Sequence, residues 1–289
     1  MSYSADNLLI RPQPTTENGL ITQVTPQRAG WEHLSMMVRR MKAGECWQGT
    51  TTDDELVHVI LQGRCTIHTN TFDYANIGQR MSVFEGKPYA LYLSRNTAFE
   101  ITALTDDLDI ATCQVAATED HPPRLIRPQD CGEELRGGGN ASRQIVSILP
   151  PGFDCQRIVA VEVYAPGGNW SSYPPHKHDV HRLDDQGNLL EADLEETYFY
   201  RFDKPGGYAY QRVYTDDGSI DGLVRAQEND VVLVPAGYHP VVTAPGYSSY
   251  YLNFLAGSAQ SLANSDDPAF AWIKAEWPPL DPRLPLVKG

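Results

Sequence analysis

No stretch of this 289-residue sequence approaches the roughly 18 consecutive apolar residues that a membrane-spanning helix requires. The opening residues, MSYSADNLLIRP, hold neither an apolar core nor a basic leader. Both absences lead us to expect a cytoplasmic protein with no membrane partner. Positive charge is scarce as well: 23 Lys and Arg against 37 Asp and Glu leave a formal charge of −14. A nucleic-acid partner is therefore not expected, because binding it needs a basic face to displace condensed counterions. Cysteines number five (Cys46, Cys65, Cys113, Cys131 and Cys155), an odd count with no CxxC pair. They read as reduced thiols, mostly filling a core, rather than a disulfide frame or zinc cluster. Helical periodicity is also rare. The segment PAFAWIKAEW near the C-terminus is the best short helix candidate.

What the chain does contain is short strands. HVILQGRCTIHT, RIVAVEVYA, ETYFYRF, YAYQRVYT, DVVLVPAG and SSYYLNFLAG are rich in β-branched and aromatic residues and bounded by Gly, Pro, Asn or Asp. Many short strands with turn signals predict an all-β sandwich or barrel, not an alternating βα fold. The stretch ATEDHPPRLIRPQDCGEELRGGGNASR has the chemistry of a linker. It divides the chain into an expected N-terminal domain, 1–130, and a C-terminal domain, 131–289.

Metal-ligating residue types gather in the second half. In SSYPPHKHD, His176 and His178 are alternate residues, so on a strand both imidazoles face one way and Lys177 faces the other. The strand EETYFYRF begins with Glu195-Glu196; Glu196 shares a face with Tyr198 and Tyr200. Alternation alone leaves either carboxylate available. The buried run Val231–Val234 leads into the turn Pro235-Ala236-Gly237, with His239 just beyond. A histidine at the rim of such a turn is set to face a pocket. Three imidazoles and a carboxylate suit one divalent transition metal ion, with zinc, manganese and iron all open.

HxH, then glutamate, then PxG followed by histidine resembles the metal motif of cupins, which are jelly-roll barrels. The sequence departs from the usual pattern in the insert VHRLDDQGNLLEADLE ahead of the glutamate and in a third histidine one place nearer the PxG turn. Both departures resemble the 5-deoxy-glucuronate isomerases of inositol catabolism. SSYPPHKHD, LEETYFYRF, QRVYTDDGS, DVVLVPAGYHPV and YYLNFLAG carry this likeness over most of the second half. A more distant likeness, to hexuronate ketol-isomerases, selects Glu196 over Glu195 as the ligand. The resemblance implies two cupin barrels, a metal at His176, His178, Glu196 and His239, and conversion of 5-deoxy-D-glucuronate to 5-dehydro-2-deoxy-D-gluconate. It implies a small anionic sugar acid as partner and is compatible with a homodimer. A cupin dioxygenase or a non-catalytic sugar-acid-binding cupin are the rival readings.

The first half has the outline of a decayed copy. Gly49, Thr51 and Phe99 stand near the places of the three histidines, and Glu55 resembles the residual glutamate. No metal is expected there, and His58 and His68 read as ordinary packed or surface residues. For the chemistry, Tyr198, Tyr200, Tyr251 and Lys177 are the candidate acids and bases, with Tyr210 and Glu195 behind them. The substrate carboxylate needs a local cation in so acidic a chain. Arg212, beside Tyr210 on one strand face, is the first choice, with Arg182 and Arg201 as runners-up.

Overall fold

The computed structural model describes residues 2–14 and 19–288. The chain is nearly all β, and its paired strands are antiparallel throughout. In the first half a six-stranded sheet, ordered 124–126, 90–93, 54–62, 108–116, 34–41 and 20–24, faces a four-stranded sheet, ordered 46–50, 98–103, 65–69 and 73–77. In the second half one larger sheet runs from 9–10 through 231–234, 189–202, 249–257, 159–165 and 143–149 to 132–136. It faces a four-stranded sheet ordered 170–171, 241–243, 209–214 and 221–226.

Burial patterns follow from these layers. Strands of the small sheets have one wet face, so Ala209–Tyr214 and Ala98–Ala103 alternate buried and less buried residues. Strands in the middle of the large sheets are covered on both faces, and Val159–Ala165 and Ser249–Gly257 are buried at every position. One face of each large sheet closes over its own small sheet; the clusters around Leu56, Ile67 and Ile101 and around Val161, Tyr200 and Val213 are these two interiors. The other faces pack on each other, in a shared core that includes Val57, Ala111, Tyr164 and Phe254. Four of the five cysteines are buried, and all five are free thiols.

The termini do not respect the halves. Leu9 and Ile10, at the start of the chain, pair with Val232 and Val231 in the second half's large sheet. Residues 1–130 are thus not self-contained. The stretch expected to be a linker is largely ordered: Arg124–Ile126 pairs with Ala90–Leu93, while Gly132–Arg136 pairs with Arg143–Leu149. Sheet membership changes between these two strands. The expected helix is shorter and tighter than its periodicity suggests, a 3₁₀ segment at Ala271–Glu276 that stops at Trp277-Pro278. Proline cannot continue the hydrogen-bond pattern and disfavours helical backbone before it. No helix among the described residues is long and apolar enough to cross a membrane.

The register corrects one detail of the decayed copy. Leu56 pairs with Leu93 as Glu196 pairs with Val234, so Leu56, not Glu55, occupies the ligand position. Glu55 matches Glu195 instead, and the two do the same work. Glu55 accepts hydrogen bonds from the amides of Gln156, Arg157 and Ile158 and from the Tyr92 hydroxyl. Glu195 accepts from the amides of Glu32, His33 and Leu34. Each carboxylate thus fastens a loop of the opposite half. The first interior is filled by Trp47, His58 and Phe99, whose rings meet edge to face at 4.8–5.4 Å. Gly49 leaves room for the Phe99 ring, since a Cβ there would lie 2.5 Å from it. His58 is buried, bonds Thr112, and burial pulls its pKa down to about 3. His68 pairs with Asp73 at the surface.

Candidate metal centre

The insert between the HxH pair and the glutamate is a hairpin. Asp179–Leu183 pairs back on Leu189–Phe202 across a turn that Asp184 holds by bonding the amides of Gln186 and Asn188. Asp179 stands opposite Asp193, and the amide of Leu194 donates to the carbonyl of His178. The hairpin therefore returns Glu196 to the side of His178, despite the long separation in sequence. The third histidine depends on its turn. Gly237 has φ +88°, and a Cβ there would lie 2.3 Å from the Tyr214 carbonyl oxygen, so only glycine fits.

His178, Glu196 and His239 converge: one potential ligand atom from each lies within 4.8 Å of the others. His178 Nε2 is 3.0 Å from Glu196 Oε2, and His239 Nε2 is 3.4 Å from that same oxygen. The other ring nitrogens are engaged by backbone. His178 Nδ1 lies 3.1 Å from the Leu194 carbonyl and His239 Nδ1 lies 2.9 Å from that of Gly237. Carbonyls only accept, so both Nδ1 atoms carry a proton, and both Nε2 atoms are left facing Glu196, where one ion could take all three groups as ligands. His239 Nε2 is buried with no hydrogen-bond partner among the described residues, which suits a metal-ligating nitrogen. The residues therefore fit a divalent metal. The His176 ring lies 4.8 Å from that of His239 and 6.4 Å from that of His178, next to the trio.

The titration directions match. Burial pulls His239 down to about 3, with His178 adding to the fall. Burial, then His239 and His178, hold His176 well below its ordinary value. Burial also opposes charge on His178, but its bond to Glu196 outweighs this and raises it. Burial raises Glu196 against the pull of His178. One proton shared by His178 and Glu196 is thus what a metal would displace.

The cluster opens into a cavity of about 350 Å³, the size range of small-molecule sites. Its lining includes His176, His178, Glu196, Tyr198, Tyr251 and Arg143. The Tyr198 hydroxyl is 3.1 Å from Ser172 Oγ; the buried Tyr251 hydroxyl has no hydrogen-bond partner among the described residues.

Several expected residues lie elsewhere. Tyr200 is buried on the same strand face as Tyr198, but its hydroxyl donates to Gln211 at 2.8 Å and it does not line the cavity. Lys177 points away from the histidines and pairs with Asp179 at 2.5 Å, near Glu191 and Asp216. Glu195 is the clamp described above. Arg212 and Tyr210 project from the outer face of Ala209–Tyr214, because the smaller Ala209, Gln211 and Val213 turn inward. Arg212 forks onto Asp221 at 2.8 and 3.0 Å and stacks on Tyr214. Arg182 is an exposed partner of Ser265 and Glu191. Arg201 is buried against Asp109, in contact between the halves.

The cations that do line the cavity, Arg136 and Arg143, were hidden in the apparent linker. Alternation in RQIVSIL offered a signal: Arg143, Ile145 and Ser147 share a face, and all three line the cavity.

Comparison with known proteins agrees with this architecture. The oxalate decarboxylase of Lactobacillus farciminis superposes with a TM-score of 0.63 over 91% of this chain and 87% of its own, at 13% identity, a likeness of fold alone. An IolB-like protein from Salmonella typhimurium superposes with a TM-score of 0.86 at 40% identity, over 92% of this chain and 98% of its own. The 5-deoxy-glucuronate isomerase of Geobacillus thermodenitrificans is 43% identical, covering 92% of this chain and 95% of the relative. That of Bacillus subtilis is 40% identical, covering 94% and 99%. The model of the KduI/IolB family matches residues 8–273, and with full-length relatives at this identity the chain belongs to that family.

Proposed function

We propose that the protein is a metal-dependent aldose–ketose isomerase that converts 5-deoxy-D-glucuronate to 5-dehydro-2-deoxy-D-gluconate in inositol catabolism. The observation that carries this is the convergence of His178, Glu196 and His239 beside a cavity of about 350 Å³, in a chain whose relatives along nearly its whole length bear the isomerase name. His176 completes the ligand set we assign. A divalent ion held there would supply Lewis-acid polarisation of the sugar's carbonyl and neighbouring hydroxyl oxygens.

The chain's own groups handle orientation and protons. The reaction moves one hydrogen from the hydroxyl-bearing carbon to the former aldehyde carbon and shifts the carbonyl in the opposite direction. Tyr198 and Tyr251 are buried phenols whose pKa burial raises. They are suited to donate hydrogen bonds to sugar oxygens as charge develops there. The aromatic and aliphatic walls, among them Ile145, Val161, Val163 and Leu255, limit water at the reacting carbons.

The test is a proton NMR assay of 5-deoxy-D-glucuronate in D₂O, run with as-purified, chelated and metal-restored protein. Conversion is expected to stop on chelation and return with a divalent transition metal. Deuterium at the new hydroxymethyl carbon would assign proton transfer, and its absence a hydride shift. Oxygen uptake in place of isomerisation would favour a dioxygenase, and sugar-acid binding without turnover a non-catalytic cupin.

A further inference from the structure

We propose that Arg143 is the carboxylate-binding residue that makes this cavity selective for sugar acids, an inference that rests on the isomerase reading of the same site. Arg143 opens the strand Arg143–Leu149 and is 5% exposed. Its Nη1 is buried with no hydrogen-bond partner, and no Asp or Glu pairs with it among the described residues. Guanidinium groups are seldom buried without an anion, because desolvation costs several kcal/mol that only a well-placed partner offsets. In a chain with 37 acidic residues, a buried arginine without one of them is conspicuous. The two cavity arginines differ sharply here. Arg136 donates to both oxygens of Glu134, at 2.9 and 2.7 Å, and is about half exposed, so its charge is already matched. Arg143 lines the cavity with no ion-pair partner among the described residues; Glu134, bonded to Arg136, acts on it only from a distance.

The surroundings suit a bound anion. Burial, with Arg136 nearby, works against the Arg143 charge, and an entering carboxylate relieves that penalty. Arg143 lines the same cavity as His176, His178, Glu196 and Tyr251. One cavity therefore offers ligands for a metal that polarises a carbonyl and a fork for a carboxylate. A sugar acid carries both groups, one at each end. Holding both ends fixes which carbon meets the ligand cluster, so Arg143 would set orientation as well as affinity.

The experiment compares metal-loaded wild type, R143M, R143K and R212Q. The substrates are 5-deoxy-D-glucuronate and the neutral sugar in which a primary alcohol replaces its carboxylate. Metal content and calorimetric titration with D-glucuronate are measured alongside. Wild type and R212Q are expected to share one preference for the acid. R143M is expected to lower kcat/KM for the acid about 10²-fold more than for the neutral sugar, the scale for removing one partner of a buried charge pair. R143K should fall between. D-glucuronate affinity should drop in parallel in R143M, with metal content unchanged. Equal losses on both sugars, or undiminished D-glucuronate binding by R143M, would overturn the assignment. If R143M does not fold, R143K decides: wild-type selectivity and affinity there would show that the fork is not used. A wild type that isomerises neither sugar would reject the isomerase reading alone, since the binding arm still judges Arg143.

Discussion

His239→Ala is expected to remove bound divalent metal and to lower kcat/KM for 5-deoxy-D-glucuronate by about 10³-fold or more, because metal stabilisation of transition-state charge is worth several kcal/mol and each 1.36 kcal/mol is tenfold. The size of the effect follows from how completely this ring is committed. Its Nδ1 is held by the Gly237 carbonyl, on a turn that only glycine can make, and its Nε2 has no partner but the cluster itself. Alanine removes one ligand and leaves Glu196 with His178 alone at close range. His68→Ala is the control, since that ring sits on the surface of the other half beside Asp73. Elemental analysis and the NMR assay on the same preparations would check both variants. A His239→Ala protein that holds a full equivalent of metal, or a metal-free wild type that turns over at its normal rate, would refute the assignment.

Arg80→Met is expected to produce the largest loss of stability, about 3–5 kcal/mol, the usual cost of stranding one member of a buried ion pair. Arg80 lies in the first half and reaches Glu162, on a central strand of the second; both are almost wholly buried. The carboxylate accepts from two Arg80 nitrogens and from the hydroxyls of Tyr164 and Tyr250. Burial opposes the charge on Arg80, but Glu162 outweighs it and holds the guanidinium above its ordinary pKa. Methionine leaves the phenols donating to an uncompensated charge in the core. Urea unfolding would report the loss, and adding Glu162→Gln to Arg80→Met should recover part of it. A midpoint shift worth less than about 1 kcal/mol, the size of an ordinary exposed pair, would show that the network does not join the halves as described.

What could be read from the sequence, and what could not, divides along physical lines. His176, His178 and His239 stood out because ligand residue types and tight-turn glycines are local signals. The choice between Glu195 and Glu196 was not local. Both are carboxylates on one strand, Glu196 buried and Glu195 half-buried, and only the register with Val234 and the loop at Glu32–Leu34 separates the two roles. The same one-residue ambiguity put Glu55 in the place of Leu56. Arg212 failed for a related reason. Alternation identifies two faces but not which one is inside, and here Ala209, Gln211 and Val213 fill the inner face while Tyr210 and Arg212 stay exposed. Arg143 escaped because what distinguishes it is the lack of a partner, and no one-dimensional pattern records that.

The short strand at Leu9–Ile10 has a consequence for how the molecule keeps to itself. It pairs with Val231 and Val232, at the start of the strand Val231–Val234 that leads to His239. Without those few residues this border of the large sheet would lie open as a template for a foreign strand, the geometry from which chain-to-chain stacking begins. A stretch contributed by the first half thus covers part of an open edge of the second.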